Sequence, residues 1–590
     1  MKKYLISILV LFSISFSGLL LPENGSISRT THIKFEWEQV PYATTYIVEV
    51  DLPNGNTFTS EHQSSLIYIN TEIFSWNSSY SWKVFPIFND GSLGIEINQY
   101  SFSIANSRSN ATASGEYSDT NGGITMFSSF FDYYSAAIDE SGNEIWNTGN
   151  ENIIFYNTDY YGQLFGAQLD DDAENYLPVI EYNLDNQILW QEPANDFSHH
   201  EMIQLPNGNY MSLVEDIVIG PIPSNLDDGL SFYFMAIGYQ ADGITNEFPW
   251  VGDRLVEWDQ NGNEVWSWST HDFFSKQDYD EIAGTWATAF NDGKHDWTHA
   301  NAFFFSEQEN AIYLSSRHLS RITKIDYTTG EVIWNMGLDM PSGDVDCGQD
   351  LGFSFQHSVT VLDNGNIVTL DNGNLSETIN NTPYPTSRAL EIEIEESNNT
   401  CNASFVWNYS LPQNLFGFAS GNVQKTSTGN YLVTTVGDGG TSIEVTPNNQ
   451  IIWEADYNLS LPNGAVYRAN RLPSLYPVAF SVIIENMYLD DNGNITIDDQ
   501  LDIKLYNNGS RDEIFYLPLL NENITLSSGE IAYLSIPISL NAEIIQVEVI
   551  PIHREDLAKE YTIYIGDTES IPGCTDINAC NFNSEANEDD

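Results

Sequence analysis

The 590-residue chain has few basic side chains, few cysteines and few histidines. Lysine and arginine total 20 against 83 acidic residues, which gives a formal net charge of −63. So acidic a surface repels polyanions, which argues against nucleic acid as a partner and suits a solvated protein in a saline habitat. The spacing of the four cysteines does not indicate zinc, and no metal site is predicted.

Long apolar runs are also missing after the N-terminus. The start, MKKYLISILVLFSISFSG, combines two lysines, an apolar run and a small-x-small end, which predicts a signal peptide over residues 1–17. No later stretch is long and apolar enough to cross a membrane. We therefore expect an exported protein without a transmembrane segment, secreted, periplasmic or held at the cell surface.

Helical periodicity is absent, and a short motif ending in tryptophan recurs instead. In each copy a turn precedes an apolar pair and the tryptophan: SGNEIW (Trp146), LDNQILW (Trp190), QNGNEVW (Trp266), TTGEVIW (Trp334), NASFVW (Trp407) and PNNQIIW (Trp453). The intervals of 44 to 76 residues fit four short strands per unit. Six such units predict an all-β fold with a six-bladed β-propeller over residues 115–475, with the tryptophans packed between blades.

A second repeated pattern places a histidine at the start of a hairpin. Three segments show it: HEMIQLPNGNYMSLV from His200, HANAFFFSEQENAIYLSSR from His299 and HSVTVLDNGNIVTLDNG from His357. Each has an apolar run, a turn and a returning apolar run, as antiparallel hairpins do. Only 10 residues of the chain are histidines, so three at equivalent places predict imidazoles that converge on one axis.

The second hairpin brings further polar groups to the same end. Strands of equal length, His299 to Phe305 and Ala311 to Arg317, return Arg317 to a place beside His299. Asn301 follows two residues after His299 and shares its face. A guanidinium among histidines in so acidic a chain predicts a site for a small oxyanion such as sulfate or phosphate.

The regions on either side of the propeller have a different pattern. Residues 22–105 resemble a fibronectin type III sandwich, and alternation over 478–566 predicts a small C-terminal β-sandwich. Residues 571–590 resemble the cysteine-containing repeats near the C-termini of exported proteins from Bacteroidetes-type bacteria, and the resemblance implies a truncated repeat. Export also permits a disulfide between Cys347 and Cys401 on adjacent blades.

Together the segments HHEMIQLPNGN, DWTHANAF, SSRHLSRITKID and FQHSVTVLDNGNIVTLDNGN resemble the bacterial arylsulfate sulfotransferases. The resemblance covers roughly residues 115–475. It implies a six-bladed propeller that moves a sulfuryl group from an aryl sulfate to a phenol. It also implies a sulfohistidine intermediate and no need for the nucleotide donor PAPS or another cofactor.

The family's site residues carry over to five positions of this sequence. His357 matches the histidine that becomes sulfated, while His200, His299, Asn301 and Arg317 match the remaining positions. The resemblance implies that Arg317, His299 and Asn301 hold the sulfuryl oxygens, and that His200 or His299 moves the phenol proton. The family's final-blade threonine has no clear counterpart in LFGFASGNVQKTSTGN.

Several interpretations stay open at the level of sequence. Arg388 is interpreted either as a substrate-binding residue or as a partner of the acids that follow it. The acidic clusters Asp170 to Asp172 and Asp490 to Asp491 are interpreted as turns, with structural calcium as the alternative. The histidines outside the three hairpin starts are interpreted as structural: His199, His271, His295 and His318. The alternative to an enzyme is an exported propeller that only binds a sulfated ligand or surface partner.

Overall fold

The chain is all-β, which confirms the fold class expected from the sequence. The computed structural model describes residues 18–117, 123–169, 177–193, 198–226, 229–397, 400–490, 494–497, 500–538 and 544–565. The predicted signal peptide, the C-terminal repeat with Cys574 and Cys580, the cluster Asp170 to Asp172, and Asp491 lie outside these residues. Within the described ranges, no helix is both long and apolar enough to cross a membrane.

The described chain divides into two compact units. Residues 106–475 form one, the central unit, and the residues before 106 and after 475 together form the other, the flanking unit. Contacts join the two ends of the chain in this flanking unit. The predicted limits of the individual domains stay predictions.

The first eight strands belong to the flanking unit. They are β1 (Leu19–Leu21), β2 (Ser26–Ser28), β3 (Ile33–Trp37), β4 (Ala43–Asp51), β5 (Thr57–Thr59), β6 (Ile67–Asn70), β7 (Ser79–Phe88) and β8 (Gln99–Ile104). They form two sheets with the orders β1-β3-β6 and β2-β8-β7-β4-β5. Because side chains alternate between the faces of a strand, Tyr80, Trp82 and Val84 of β7 all enter one core with Phe35.

The next strands build the central unit. The first half comprises β9 (Thr112–Gly115), β10 (Ile124–Phe130), β11 (Tyr134–Ile138), β12 (Glu144–Asn147), β13 (Ile153–Thr158), β14 (Leu164–Gln168), β15 (Val179–Tyr182), β16 (Ile188–Gln191), β17 (Ser198–Gln204), β18 (Tyr210–Pro221), β19 (Asn246–Trp258), β20 (Glu264–Ser269) and β21 (His295–Asp296). The second half comprises β22 (Ala300–Ser306), β23 (Ala311–Ser316), β24 (Arg321–Asp326), β25 (Val332–Gly337), β26 (His357–Val361), β27 (Ile367–Asp371), β28 (Arg388–Ser397), β29 (Thr400–Ser410), β30 (Asn422–Lys425), β31 (Tyr431–Thr435), β32 (Thr441–Val445), β33 (Ile451–Asp456) and β34 (Ala465–Leu472).

In the described residues these strands form six sheets in chain order, antiparallel except that the short β21 pairs with β19 of sheet 3 in parallel. Sheet 1 has the order β34-β10-β11-β12, and sheets 2 to 5 are β13 to β16, β17 to β20, β22 to β25 and β26 to β29. Sheet 6 runs from β30 to β33 and gains β9 at its edge. The first strand of each sheet, here called the inner strand, contacts the inner strands of the sheets before and after it. This succession closes, because β34 contacts both β30 and β13.

Each repeated tryptophan lies on the fourth strand of its sheet and packs against the next sheet. Trp407 of sheet 5 stacks on Tyr431 of sheet 6 with ring centroids 3.6 Å apart. Trp453 of sheet 6 donates to the Glu140 carbonyl of sheet 1 at 2.8 Å, so the same contact links the last sheet to the first. The predicted packing role of the tryptophans is therefore confirmed.

Helices occupy only a few connections of the central unit. They are α1 (Leu230–Ala236), α2 (Thr270–Phe273), α3 (Thr285–Asp292) and α4 (Ser376–Ile379), with 3₁₀ turns at Gln413–Leu415 and Gly437–Gly439. A disulfide joins Cys347, which follows sheet 4, to Cys401 in sheet 5. The predicted bridge between neighbouring repeats is confirmed.

The last nine strands complete the flanking unit. They are β35 (Phe480–Ile484), β36 (Tyr488–Leu489), β37 (Ile495–Ile497), β38 (Gln500–Asn507), β39 (Glu513–Leu517), β40 (Glu522–Leu526), β41 (Ile531–Pro537), β42 (Ile544–Pro551) and β43 (Lys559–Ile565), with a 3₁₀ turn at Glu555–Leu557. One sheet has the order β35-β38-β41, and the other β36-β37-β43-β42-β39-β40. Lys559 donates to Glu36 of β3 at 2.6 Å, which ties the two ends of the chain together.

Candidate active site

Three imidazoles from three successive sheets lie together in the central unit. The ring of His200, on inner strand β17, lies 5.2 Å from that of His299 and 6.2 Å from that of His357, centroid to centroid. The structure thus brings together the three histidines that the hairpin pattern singled out. They lie on or beside the inner strands of sheets 3, 4 and 5.

The hairpins are less regular at these histidines than the sequence pattern predicted. His200 lies inside β17, His299 precedes β22 by one residue, and His357 opens β26. The pairing register shifts beside each of them. His200 and His299 also adopt left-handed backbone angles, with φ of 69° and 45°. Bulges of this kind turn a side chain away from the regular alternation of a strand, which is why positions that are not strictly equivalent still converge.

The protein engages the Nδ1 atom of each of the three rings. His357 Nδ1 lies 2.7 Å from the Gly421 carbonyl, His299 Nδ1 lies 2.6 Å from Asp296 Oδ2, and His200 Nδ1 lies 2.7 Å from His199 Nδ1. None of the three Nε2 atoms has a hydrogen bond to another described residue. The second nitrogen of each ring is therefore the one available for chemistry.

The partner of His357 fixes its tautomer. A carbonyl oxygen only accepts, so Nδ1 of His357 carries the proton and Nε2 carries a lone pair. Only 2% of the residue is exposed. Desolvation, with the nearby charge of Arg468, lowers the pKa of His357 well below its ordinary value of 6.5. The ring is thus held neutral, with a nucleophilic nitrogen.

The surroundings of His299 are different. Its partner Asp296 is a carboxylate, and 46% of that side chain is exposed. His318 donates from Nδ1 to the Asp296 backbone carbonyl at 2.8 Å and packs against the His299 ring, with centroids 4.6 Å apart. Burial, with the neighbouring charges of His299 and Arg317, lowers the pKa of His318 to about 3, a shift that Asp296 opposes.

The side chains of Asp296, His299 and His318 offer possible metal-ligand atoms within 4.8 Å of one another. Two ligands on one tetrahedral zinc ion would lie about 3.3 Å apart, given bonds of about 2.0 Å. Asp296 Oδ2 and His299 Nδ1 are closer than that, at 2.6 Å. Their distance is that of a hydrogen bond rather than of two ligands sharing an ion.

His200 is connected to a second carboxylate through His199. Nε2 of His199 lies 3.1 Å from Asp253 Oδ1, and Asp253 also accepts from the Ala300 amide at 2.7 Å. Desolvation first, and then neighbouring positive charges beginning with His199, lower the pKa of His200 well below 6.5. The sequence interpretation of His199 as a purely structural residue therefore misses its contact with His200.

Arg317 lies where the hairpin geometry predicted it. Its amide donates to the His299 carbonyl at 3.1 Å, its guanidinium donates to the Phe418 carbonyl at 3.0 Å, and it lies over the Phe355 ring. Burial lowers the pKa of Arg317 to about 10, a shift that Asp296 opposes, so the group stays cationic at neutral pH.

Asn301 is fully buried beside this cluster. Its amide nitrogen donates to the Gln356 carbonyl at 2.8 Å, and Gln356 directly precedes His357 in the chain. The Asn301 side-chain oxygen is buried without a hydrogen-bond partner. One amide hydrogen remains available, because a carboxamide has two.

Residues 224–468 match the family model of the arylsulfotransferases (ASST). The resemblance to the arylsulfotransferases that the sequence motifs indicated is therefore confirmed over this segment. The matched segment contains His299, Arg317 and His357, whereas His200 lies before it.

No curated protein matches the sequence. Partial structural similarity exists to a protein of unknown function from Bacteroides caccae, at 10% identity and TM-score 0.34, covering 60% of this chain and 100% of that one. An auxiliary nutrient binding protein from Bacteroides ovatus has 11% identity and TM-score 0.30, with 80% and 92% covered. Similarity this low carries no argument about function.

The arylsulfotransferase segment ends on an arginine that the sequence reasoning missed. Arg468, on inner strand β34, forms an ion pair with Glu201 and donates to the Asn301 carbonyl at 2.9 Å. Its neighbour Tyr467 donates to the His200 carbonyl at 2.7 Å. The scarcity of basic residues, which drew attention to Arg317, is a signal that also applies to Arg468.

Arg388 has a structural partner that neither sequence interpretation named. Its guanidinium donates to Asp371 Oδ2 and to the Gly352 carbonyl, both at 2.7 Å. Asp371 lies opposite Arg388 in the β27–β28 pairing and precedes it in the chain, so the acids after Arg388 are not its partners. Among the described residues, no contact joins Arg388 to His200, His299 or His357.

Proposed function

We propose that the central unit is a six-bladed propeller that catalyses PAPS-independent transfer of a sulfuryl group from an aryl sulfate to a phenol. The single observation that carries the proposal is the cluster of three imidazoles, each bound by the protein through Nδ1, with Arg317 close enough for its charge to act on His357. Six sheets whose inner strands contact one another in a closed succession support the propeller.

His357 is the nucleophile in this proposal. Its buried, neutral ring has Nδ1–H held by Gly421, so the lone pair of Nε2 attacks sulfur. The sulfur–oxygen bond to the aryl group breaks, and the sulfuryl group stays on Nε2 as sulfohistidine. A phenol acceptor then takes the sulfuryl group and restores the ring. No nucleotide or other cofactor enters either step.

Arg317 and Asn301 bind the sulfuryl oxygens. Sulfuryl transfer, like phosphoryl transfer, is expected to have a loose transition state with negative charge on the equatorial oxygens, so placed cations and hydrogen-bond donors stabilise it. Arg317 has guanidinium donors beyond the one that Phe418 accepts, and Asn301 has one free amide hydrogen. Arg388 has no part in the proposal, because Asp371 and Gly352 occupy its guanidinium.

The proposal includes export and two sandwich domains, one before and one after the propeller in the sequence. The N-terminal sequence supports a signal peptide. The two sheets of residues 19–104 support a fibronectin type III-like sandwich, and the sheets after residue 479 support a second sandwich.

Purified protein, without added nucleotide, is expected to transfer sulfate from para-nitrophenyl sulfate to a phenol. Release of para-nitrophenol should rise when the acceptor is added, and the sulfated acceptor should be detected by mass spectrometry. In the absence of acceptor, the peptide with His357 should gain the mass of one sulfuryl group. If a range of aryl sulfates and phenols gives neither turnover nor label while sulfated ligands bind, the chain is a binding propeller instead.

A further inference from the structure

We propose that Asp296 is the positioning residue that makes His299, rather than His200, the proton carrier of the transfer reaction. The inference rests on the proposed function and resolves which histidine protonates the departing phenolate. Asp296 touches neither His357 nor the reacting atoms, and it acts through the His299 ring.

A short hydrogen bond joins Asp296 to His299. The Asp296 Oδ2 to His299 Nδ1 distance of 2.6 Å is that of a charge-assisted hydrogen bond. A carboxylate in this position keeps the proton on Nδ1, orients the ring, and stabilises the imidazolium that forms when Nε2 also carries a proton. The remaining nitrogen, Nε2, belongs to a ring whose centroid lies 5.2 Å from that of His200.

His318 holds Asp296 itself in place. The His318 ring donates to the Asp296 backbone carbonyl, and the His318 backbone amide donates to the Thr298 carbonyl at 3.1 Å. Burial alone would raise the pKa of Asp296, but His299 and His318 lower it well below the ordinary carboxyl value, so Asp296 stays ionised. The groups that face Asp296 are thus the imidazoles of His299, His318 and His295, with the Arg317 guanidinium nearby.

The path from His200 through His199 to Asp253 is less suited to carry a proton. The partner of His200 is a second imidazole, and only beyond His199 does a carboxylate, Asp253, follow. Desolvation and the neighbouring charges of His199, His299 and His357 disfavour a proton on His200. His299 has a carboxylate directly on Nδ1, and 29% of its side chain is exposed.

The proposed steps balance in protons and electrons. At the start His299 carries protons on both nitrogens. His357 Nε2 forms a bond to sulfur, the aryl oxygen leaves with the bonding pair, and the Nε2 proton of His299 passes to that oxygen. In the second half, His299 Nε2 takes the proton of the acceptor phenol, the phenol oxygen bonds to sulfur, and the pair of the nitrogen–sulfur bond returns to His357.

The test is the rate of His357 labelling by two donors in the protein with Asp296→Asn. Phenyl sulfate has a basic leaving group that needs a proton, whereas para-nitrophenyl sulfate has a stable one that does not. We expect Asp296→Asn to slow labelling by phenyl sulfate about 10²-fold or more and labelling by para-nitrophenyl sulfate less than about 10-fold. His199→Gln is the matched control, and it should slow both donors by similar factors.

Each other outcome contradicts the inference. Equal losses for the two donors in Asp296→Asn, with or without a lower melting temperature, would make Asp296 a structural residue. If only His199→Gln slows labelling by phenyl sulfate more than labelling by para-nitrophenyl sulfate, His200 is the proton carrier. If the unmodified protein is not labelled by any donor, the proposed function fails and this inference fails with it, whereas labelling with the wrong donor dependence overturns the inference alone.

Discussion

The surroundings of His357 and His299 differ although both rings lie in one cluster. His357 is buried and donates to the Gly421 carbonyl, whereas His299 is partly exposed and faces the Asp296 carboxylate. A carbonyl supports a neutral ring, and a carboxylate supports a protonated one. The partner of the ring Nδ1 thus prepares one histidine as a nucleophile and the other as a proton carrier.

The largest effect is expected when His357 is replaced. His357→Asn keeps polarity but removes the nucleophile, so turnover should fall by at least about 10⁴-fold and the sulfuryl label should disappear. Mass spectrometry of the intact protein and its peptides checks the label, and circular dichroism checks the fold. A label that moves to His299 or His200, or turnover near that of the unmodified protein, would contradict the assignment.

An intermediate effect is expected at Arg317. Arg317→Ala removes a cation from the site but no core side chain, so activity should fall about 10²- to 10³-fold with little change in melting temperature. Initial rates and thermal unfolding measured on the same samples check this. Arg388→Ala is the control, because it leaves the buried Asp371 unpaired, which typically costs about 3–5 kcal/mol of stability. If Arg317→Ala lowers stability as much as the control does, Arg317 is structural.

The smallest effect concerns pH. Because the pKa of His357 is lowered, its neutral form persists as the pH falls below 6.5. Labelling by para-nitrophenyl sulfate, which needs no proton from His299, should therefore change less than about threefold between about pH 5 and pH 7. Single-turnover labelling rates across this range check the expectation. A loss of about tenfold per pH unit below 6.5 would mean that His357 titrates normally.

The repeated motifs allowed much of the central unit to be predicted. Trp407 and its equivalents follow a turn and an apolar pair, which places them on an outer strand of each repeat, and the contact with the next sheet is a direct consequence. The convergence of His200, His299 and His357 follows only in part from repetition, because similar hairpins bring these segments together but the bulges beside the histidines direct the side chains. A local sequence pattern is sufficient to predict such contacts where each repeat has the same geometry.

Other parts of the site depend on contacts that no local pattern encodes. Arg468 reaches Glu201 from a strand 267 residues later in the chain. Asp253 of β19 contacts His199 of β17 although β18 lies between these two strands in sheet 3. The left-handed backbone of His299 departs from the regular hairpin that the alternation predicted. The pairing of both chain ends in the flanking unit has the same cause, since Glu36 and Lys559 lie 523 residues apart.

The order of strands in sheet 1 has a consequence for biosynthesis. Its strand β10 begins at Ile124, but the neighbour β34 ends only at Leu472. A growing chain therefore exposes an unpaired inner edge until almost the whole central unit has been made, and pairings between such distant segments form slowly. Because β34 also carries Tyr467 and Arg468, which contact His200, Glu201 and Asn301, the candidate site is completed only with this last strand of the central unit. A chain interrupted before β34 has neither a finished sheet nor a finished site.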